Sequence, residues 1–227
     1  MKQTLYAEWT KLRTVAAPAW LLLGTIIATV ALSAGATSVV PNADDTTRLS
    51  LTGIELGQAL VAVLAVLVIG GEYGSGMIRT TLTAMPHRIT VLAAKAVTLA
   101  GAVAAAGTVA VLGSLLAGRL ILSAHGHQAL SLTHGPALRA AAGSVLYLVL
   151  IALLSLGIAT AVRDSATSIG IVLGLLYLVP IVAKAIGDPR WQRLIQQIGP
   201  RAGLGVLAAW AAAALLTAAL RLRLRDV

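Results

Sequence analysis

Six long apolar segments limit how this chain of 227 residues can fold. A helix needs about 20 mostly apolar residues to cross the hydrocarbon core of a bilayer. The segments lie at residues 18–39, 53–71, 91–116, 137–162, 166–186 and 202–220. They leave only short connections, so the sequence predicts an all-α polytopic membrane protein. We expect residues 1–227 to form one transmembrane domain with no soluble domain.

Composition and charge also indicate a membrane protein. Hydrophobic residues make up 58% of the chain and charged residues 11%, whereas soluble domains carry about a quarter charged residues. Cysteine is absent, which excludes disulfides and thiolate metal sites. The net charge of +9 is explained by lysine and arginine residues beside an anionic membrane face. We therefore predict no nucleic-acid partner. Lysine and arginine placement favours cytoplasmic N and C termini.

Residues 1–16 are predicted to form an amphipathic helix in the membrane interface. Trp9 would lie at headgroup level, while Lys11 and Arg13 would face lipid phosphates as anchors. The apolar stripe, at helical spacing, consists of Leu5, Trp9, Leu12 and Ala16. The alternative is a short polar segment that merely leads into the first span.

The connection between the second and third spans, residues 72–90, carries the most specific pattern. Glycines at positions 74 and 76 predict a turn. Apolar residues at helical spacing follow, with polar residues between them, and they predict a short amphipathic helix. Pro86 should end that helix, because proline lacks a donor N–H and disfavours a helical residue before it. Such a segment suits docking onto a partner at the cytoplasmic face. A helix that only rests on lipid headgroups is the alternative.

Two parts of the chain resemble the permease subunits of type-2 ABC exporters. The first is Glu8-Trp-Thr-Lys11-Leu-Arg13 before a span. The second is the pattern after the second span, which comprises Glu72, Gly76, Ile78, Thr80, Thr81, Pro86, Arg88 and Lys95. The resemblance extends over the six-span layout, but its specificity lies in residues 8–13 and 72–95.

The resemblance implies that residues 74–86 form a coupling helix that contacts a separate ATPase subunit. The implied coupling residues are Glu72, Gly76, Ile78, Arg79, Thr80, Pro86 and Arg88. It also implies a second permease copy, as a homodimer or a paralogous heterodimer, in a bacterial plasma (inner) membrane. ATP and Mg²⁺ would bind the partner ATPase, and this chain would bind no cofactor of its own.

A few residues inside or beside the spans are candidates for a substrate path. Glu55 either completes a capping box with Thr52 or contacts an ion or substrate. Pro180 should kink the fifth span. Gly170 and Gly174 continue a small-residue stripe that suits packing within the subunit or between two copies.

Structural roles are favoured for three other features. Asp164 is predicted to cap the fifth span, and Lys184 is predicted to extend its side chain to the membrane surface. The outer-loop histidines, His125, His127 and His134, are expected to be solvated rather than to bind a metal.

The sequence also limits the function classes. It contains no Gly-x-x-x-x-Gly-Lys-Ser/Thr loop, no His-Glu-x-x-His and no Gly-x-Ser-x-Gly, so these ATP-binding, metalloprotease and hydrolase signatures are absent. We therefore expect a transport subunit that is not itself an enzyme. The alternative is an ATPase-independent secondary transporter or another six-span membrane protein, although the paired intramembrane charges and inverted repeats of a secondary transporter are not evident. An intramembrane enzyme would need convergent Ser, His and Asp residues inside the spans.

Overall fold

The computed structural model describes residues 2–39, 53–77, 80, 88–124, 135–185 and 203–224. We label the helices in chain order as α1 (Lys2–Thr14), α2 (Ala16–Val39), α3 (Ile54–Gly74), α4 (Arg88–Ala124), α5 (Gly135–Val162), α6 (Ser165–Leu173), α7 (Val179–Ala185) and α8 (Leu204–Leu224). A π-helical turn, Gly174–Leu178, joins α6 to α7. The described residues are all-helical and include no strand.

Six helical stretches are long and apolar enough to cross a membrane, as the sequence predicts. They are Ala16–Ser38, Ile54–Gly74, Ile89–Ile121, Leu138–Val162, Ser165–Val182 and Leu204–Leu224. The longest helix, α4, has 37 residues and therefore extends about 55 Å at 1.5 Å per residue. This length exceeds the hydrocarbon thickness of about 30 Å, so α4 must tilt or continue beyond the apolar layer.

Helices α3 and α5 lie at the centre of the bundle. About half of the apolar window of each is buried, compared with 17% in the first, fifth and sixth candidate spans. Helix α5 packs against α3, α4 and α8, and α2 packs against α3 and α4. The central helices are thus surrounded by protein, whereas much of the surface of the other helices faces away from the bundle.

Helix α3 begins differently from the prediction. Gly53 is its N-cap and provides no side-chain cap; instead, the Gly53 amide donates to Ser33 Oγ of α2 at 3.1 Å. Thr52, the predicted capping partner, lies outside the described residues. The side chain of Glu55 is exposed, and the acceptor for the N-cap amide is the Ser33 hydroxyl of α2 rather than a glutamate carboxylate.

The predicted cap of the fifth span is confirmed. Asp164 is the N-cap of α6, and its carboxylate accepts a hydrogen bond from the Thr167 amide at 2.7 Å. The hydrogen bonds from Thr167 hold the pKa of Asp164 below its ordinary value of 3.8. A carboxylate at this position also complements the positive end of the helix dipole.

This cap should make stability depend on pH in the acidic range. Because the folded-state pKa of Asp164 is lowered, its contribution is complete above the unfolded value of 3.8 and is lost as pH falls through the folded value. An Asp164→Asn variant keeps a capping oxygen but cannot titrate. We expect the difference in melting temperature between the native chain and this variant to change below about pH 4 and to stay constant above it. Melting temperatures measured from pH 2 to 7 in detergent would check this, and a difference that is constant throughout would contradict it.

Pro180 disturbs the fifth span one turn before its own position. The proline has no N–H to donate, and its ring crowds the carbonyl of the residue four positions earlier. The turn at Gly174–Leu178 adopts π geometry, and the Val179 amide donates to the Gly174 carbonyl. The predicted irregularity is therefore a π-helical turn, a form that changes helix register locally.

Candidate functional site

Four charged side chains meet where α1, α3 and α4 come together. Lys95 Nζ lies 2.7 Å from Glu8 Oε2 and 2.7 Å from Glu72 Oε1. Lys11 Nζ lies 2.9 Å from Glu72 Oε1 and 3.1 Å from Glu8 Oε1. We call Glu8, Lys11, Glu72 and Lys95 the ion cluster. Each glutamate contacts both lysines, so the four formal charges cancel.

The ion cluster is largely removed from solvent. Lys95 is 1% exposed, Glu8 4% and Glu72 6%, whereas the Lys11 side chain is 34% exposed. Buried ions lose hydration, and that loss is offset only when opposite charges and hydrogen bonds meet in good geometry. Each of the three buried members has such a partner within 3.1 Å. The cluster therefore depends on all of its members.

Lys11 lies in α1, ahead of the first candidate span. Burial acts to lower the pKa of Lys11, but the hydrogen bond that Lys11 donates to Glu72 and the charges of Glu8 and Glu72 outweigh it and raise the pKa above 10.5. Lys11 is consequently a cation at neutral pH. Its favourable contribution is complete below the unfolded pKa and is lost only as pH rises through the folded value.

Three helices contribute the four residues of the ion cluster. Glu8 and Lys11 are three residues apart in α1 and so share a face. Glu72 is in the last turn of α3, and Lys95 is in the second turn of α4. These two helix ends flank residues 75–87, which contain most of the predicted coupling segment. The ion cluster thus fastens α1 to both helices that lead into that segment.

The predicted coupling residues are only partly described. Gly76 has a φ of +71°, a left-handed conformation that favours glycine, as expected for the predicted turn. Thr80 Oγ1 donates to the Met77 carbonyl at 2.8 Å. Ile78, Arg79 and Pro86 lie outside the described residues. Arg88 is the first residue of α4, but its side chain, like that of Arg13, is not described.

Helix α1 has a protein-facing side that the sequence analysis did not predict. Its protein-facing side includes Thr4 and Glu8, which are 6% and 4% exposed, while Trp9 of the predicted apolar stripe is 45% exposed. Lys11, the predicted lipid anchor, pairs with two carboxylates. The partner that turns this face inward, Lys95, is distant in sequence, so local periodicity did not identify it.

Glu8 and Lys95 have no predicted role of their own, although one signal for Lys95 is present in the sequence. Lys95 is the only charged residue in the predicted third span, 91–116. A lone charge in an apolar helix normally faces a partner inside the protein. That argument predicts a buried carboxylate near Lys95, and the structure places two there.

The candidate path residues do not converge on one site. Gly170 and Gly174 face open space, with no atom within 4 Å of a built Cβ, so their stripe is not packed within the subunit. Tyr177, in the π turn beside Pro180, donates its hydroxyl to the Glu55 carbonyl. This bond joins the start of α3 to the fifth span, but it uses the backbone of Glu55 and leaves its carboxylate exposed.

A polar contact that the sequence did not suggest lies between the second and fourth spans. Tyr147 donates its hydroxyl to Gln58 Oε1 at 2.5 Å, and Gln58 is 1% exposed. The bond satisfies one end of the buried amide and fixes α3 against α5. Among the described residues, no group of three or more His, Cys, Asp or Glu side chains could hold a metal ion. His125, His127, His134 and the side chain of Lys184 lie outside the described part of the chain.

The chain was also compared with known proteins. No family model matches it, and no curated protein matches its sequence.

Proposed function

We propose that this chain is the permease subunit of an ATP-driven exporter of the type-2 ABC class. It would form the translocation path and couple to a separate ATPase through residues 74–86. The observation that carries the proposal is the ion cluster, which joins α1 to the two helix ends flanking this segment. A loop that only connects two spans has no need of buried charges at its base.

The ion cluster would allow a movement of residues 74–86 to be transmitted to the spans. Glu72 and Lys95 bond directly at 2.7 Å, so the ends of α3 and α4 are held together. Glu8 and Lys11 add α1 to the same unit. Separating a buried pair leaves uncompensated charge and is strongly unfavourable. A displacement of residues 74–86 by an ATPase would therefore move the three helices together rather than bend the loop.

The path itself would lie toward a second copy of the chain. The open space beside Gly170 and Gly174 supports a face of the fifth span that contacts another subunit, because small residues allow close helix approach. The π turn before Pro180 gives this span a point at which its register can change. The chain would supply the path and the mechanics, while ATP and Mg²⁺ act on the partner in the bacterial plasma membrane, with both termini cytoplasmic.

Co-purification with an ATPase tests the proposal. The chain would be expressed with the ATPase encoded by a neighbouring reading frame, and we expect the two to purify together. Replacing residues 78–82 with a Gly-Ser sequence of equal length should abolish co-purification and lower ATP-dependent export at least about tenfold, a loss of about 1.4 kcal/mol or more in coupling free energy. The melting temperature of the isolated subunit should stay unchanged.

The matched control replaces residues 126–130, in the connection between α4 and α5, with a Gly-Ser sequence of the same length. It should leave both co-purification and export intact. The proposal fails if no ATPase is recovered, or if the 78–82 variant exports as well as the native chain. Export by the purified chain alone, driven by an ion gradient in proteoliposomes, would instead establish the secondary transporter.

A further inference from the structure

The short turn between α5 and α6 lies against the last turns of α3. A Cβ built at Gly70 would be 2.1 Å from Ser165 Oγ and 3.1 Å from Ser165 Cβ, so the first residue of α6 touches the α3 backbone. Tyr73, three residues further along α3, contacts Arg163 of the turn, whose Cζ lies 5.9 Å from the ring centroid. The end of α3 therefore contacts the beginning of the fifth span at two positions.

Arg163 has a backbone conformation that is unusual for its residue type. Its φ is +66°, and its amide donates to the Ala159 carbonyl at 2.9 Å, so it ends α5 as a left-handed residue. Glycine usually occupies such a position, because a Cβ makes the left-handed conformation unfavourable. Among the described residues other than glycine, Arg163 is the one with a positive φ. The arginine is therefore present at a cost in backbone free energy, and its side-chain contact with Tyr73 offers a reason for it.

The contact between Arg163 and Tyr73 depends on the aromatic face. Arg163 Nη2 and the Tyr73 hydroxyl are buried, and neither has a hydrogen-bond partner within the described part of the chain. The neighbouring carboxylate, Asp164, accepts from the Thr167 amide as the cap of α6. A cation over a ring is held more strongly where water is excluded, and a buried charge that loses its partner is unfavourable. The ring and the guanidinium should therefore stay together when α3 moves.

Consecutive residues at the end of α3 thus contact two different parts of the protein. Glu72 belongs to the ion cluster and bonds Lys95 of α4 at 2.7 Å. Tyr73 contacts the turn that leads into the fifth span. Residues 74–86, the predicted coupling segment, begin directly after them. The ion cluster joins this end of α3 to α1 and α4, and Tyr73 joins it to the fifth span.

We propose that Arg163 is a positioning residue of the transport cycle, which makes the fifth span follow the end of α3 through its contact with Tyr73. The inference rests on the proposed function, because it takes a displacement of residues 74–86 by an ATPase as its starting point. It adds a route from the coupling segment to the span whose open face would lie toward the path. Arg163 acts through Tyr73 and contacts no substrate.

Asparagine is the most useful replacement for Arg163. Asparagine enters the left-handed conformation more readily than most residues, so Arg163→Asn removes the cation and keeps the turn, and its melting temperature should match that of the native chain. If it does not, Arg163→Gly takes its place, because glycine adopts this conformation freely. The matched control is Arg139→Gln, which changes an exposed arginine near the opposite end of α5.

Two substitutions of Tyr73 test whether the aromatic face makes the contact. Tyr73→Phe keeps the ring that the cation needs and removes a hydroxyl that has no hydrogen-bond partner within the described part of the chain. Tyr73→Leu removes the ring. We therefore expect Tyr73→Phe to behave like the native chain and Tyr73→Leu to behave like Arg163→Asn.

The experiment uses the complex of two permease copies with their ATPase in nanodiscs. Because the chain has no cysteine, single spin labels can be attached through Ser75→Cys at the end of α3 or Ala166→Cys at the beginning of the fifth span, both at exposed positions. Double electron–electron resonance measures the distance between the same label in the two copies. It is recorded without nucleotide and after trapping with ATP and vanadate.

In the native complex, we expect trapping to change the distances at both label sites. Arg163→Asn should keep the change at position 75 and lose most of the change at position 166. ATP hydrolysis by this variant should continue, because the ATPase still displaces the coupling segment. A residue that only stabilises the fold would not separate the two movements in this way. Arg139→Gln should leave both changes intact.

Three results would contradict the inference, and they separate it from the proposed function. If position 166 moves as far in Arg163→Asn as in the native complex, the fifth span follows α3 by another route. If Tyr73→Phe loses the movement as Tyr73→Leu does, the aromatic face is not the contact. Both results leave the proposed function standing. A native complex in which neither label moves on trapping, or a preparation that recovers no ATPase, would refute the proposed function and the inference with it.

Discussion

Replacing Lys95 with methionine is expected to lower the free energy of unfolding by about 3–5 kcal/mol, the usual loss when one partner of a buried ion pair is removed. Methionine keeps the length and the apolar stem of the side chain, so packing changes little. The charge disappears, however, and it bonds both Glu8 and Glu72 at 2.7 Å. Two glutamates that are 4% and 6% exposed would then share Lys11, the remaining cation of the ion cluster. Denaturant or thermal unfolding in detergent measures the loss.

Two further variants test whether charge balance is the cause. Lys11→Met should lower stability by less than half as much as Lys95→Met, because the Lys11 side chain is 34% exposed and water can partly replace it. The double variant Glu8→Gln with Lys95→Met should regain much of the loss, since Glu72 and Lys11 then form a neutral pair. Additive effects of Glu8→Gln and Lys95→Met would contradict this explanation, because residues in one network normally couple.

The number and position of the spans were predictable because each depends on a local property. The first predicted span, 18–39, corresponds to α2 at Ala16–Val39, and an apolar run of this length has few other stable forms. The third was predicted at 91–116, yet α4 covers Arg88–Ala124. Polar residues such as Arg119 and Ser123 continue the helix at its far end. Hydropathy therefore indicated the apolar part of α4 and not its full length.

The ion cluster could not be predicted from local patterns because it joins parts of the chain that are far apart. Lys95 and Glu8 are 87 positions apart in sequence. Helical periodicity in residues 1–16 identified the stripe that contains Trp9, but it did not indicate that Glu8, which lies off this stripe, would be buried against Lys95. A buried partner for Lys95 was nevertheless predictable, since a lone charge in an apolar span requires a partner.

The sequence also did not show which glycines lie at close helix contacts, because glycine is common in membrane spans for several reasons. Gly170 and Gly174 belonged to the predicted small-residue stripe, yet both face open space. Gly157, which belonged to no predicted motif, lies against the backbone of α8. A Cβ built at Gly157 would be 2.7 Å from the Ala214 carbonyl carbon and 2.8 Å from the Leu215 nitrogen. The tight contact is therefore a property of the packed bundle.

We expect Gly157→Ala to lower the free energy of unfolding by about 1–3 kcal/mol, as overpacking of a dense interior usually does. The added methyl group meets backbone atoms that cannot rotate away, so α5 and α8 must separate. Alanine favours a helix over glycine by about 0.5–1 kcal/mol, which offsets only part of this loss. Gly101→Ala is the control, because its Cβ meets nothing within 4 Å, and it should leave stability unchanged or slightly increase it.

Separation of the two helices can be observed directly, because the chain has no cysteine. Ala218 of α8 is fully buried, so a thiol introduced by Ala218→Cys should react slowly with a maleimide in the otherwise native chain. In the Gly157→Ala background it should react several times faster, even though Arg221 Nη1 still donates to the Ala161 carbonyl at 2.8 Å and limits the movement. Faster reaction with unchanged stability would mean that the helices separate without loss of packing energy. That result would contradict the expected loss of stability. Slow reaction together with lower stability would place the strain inside α5 and would contradict the separation of α5 from α8.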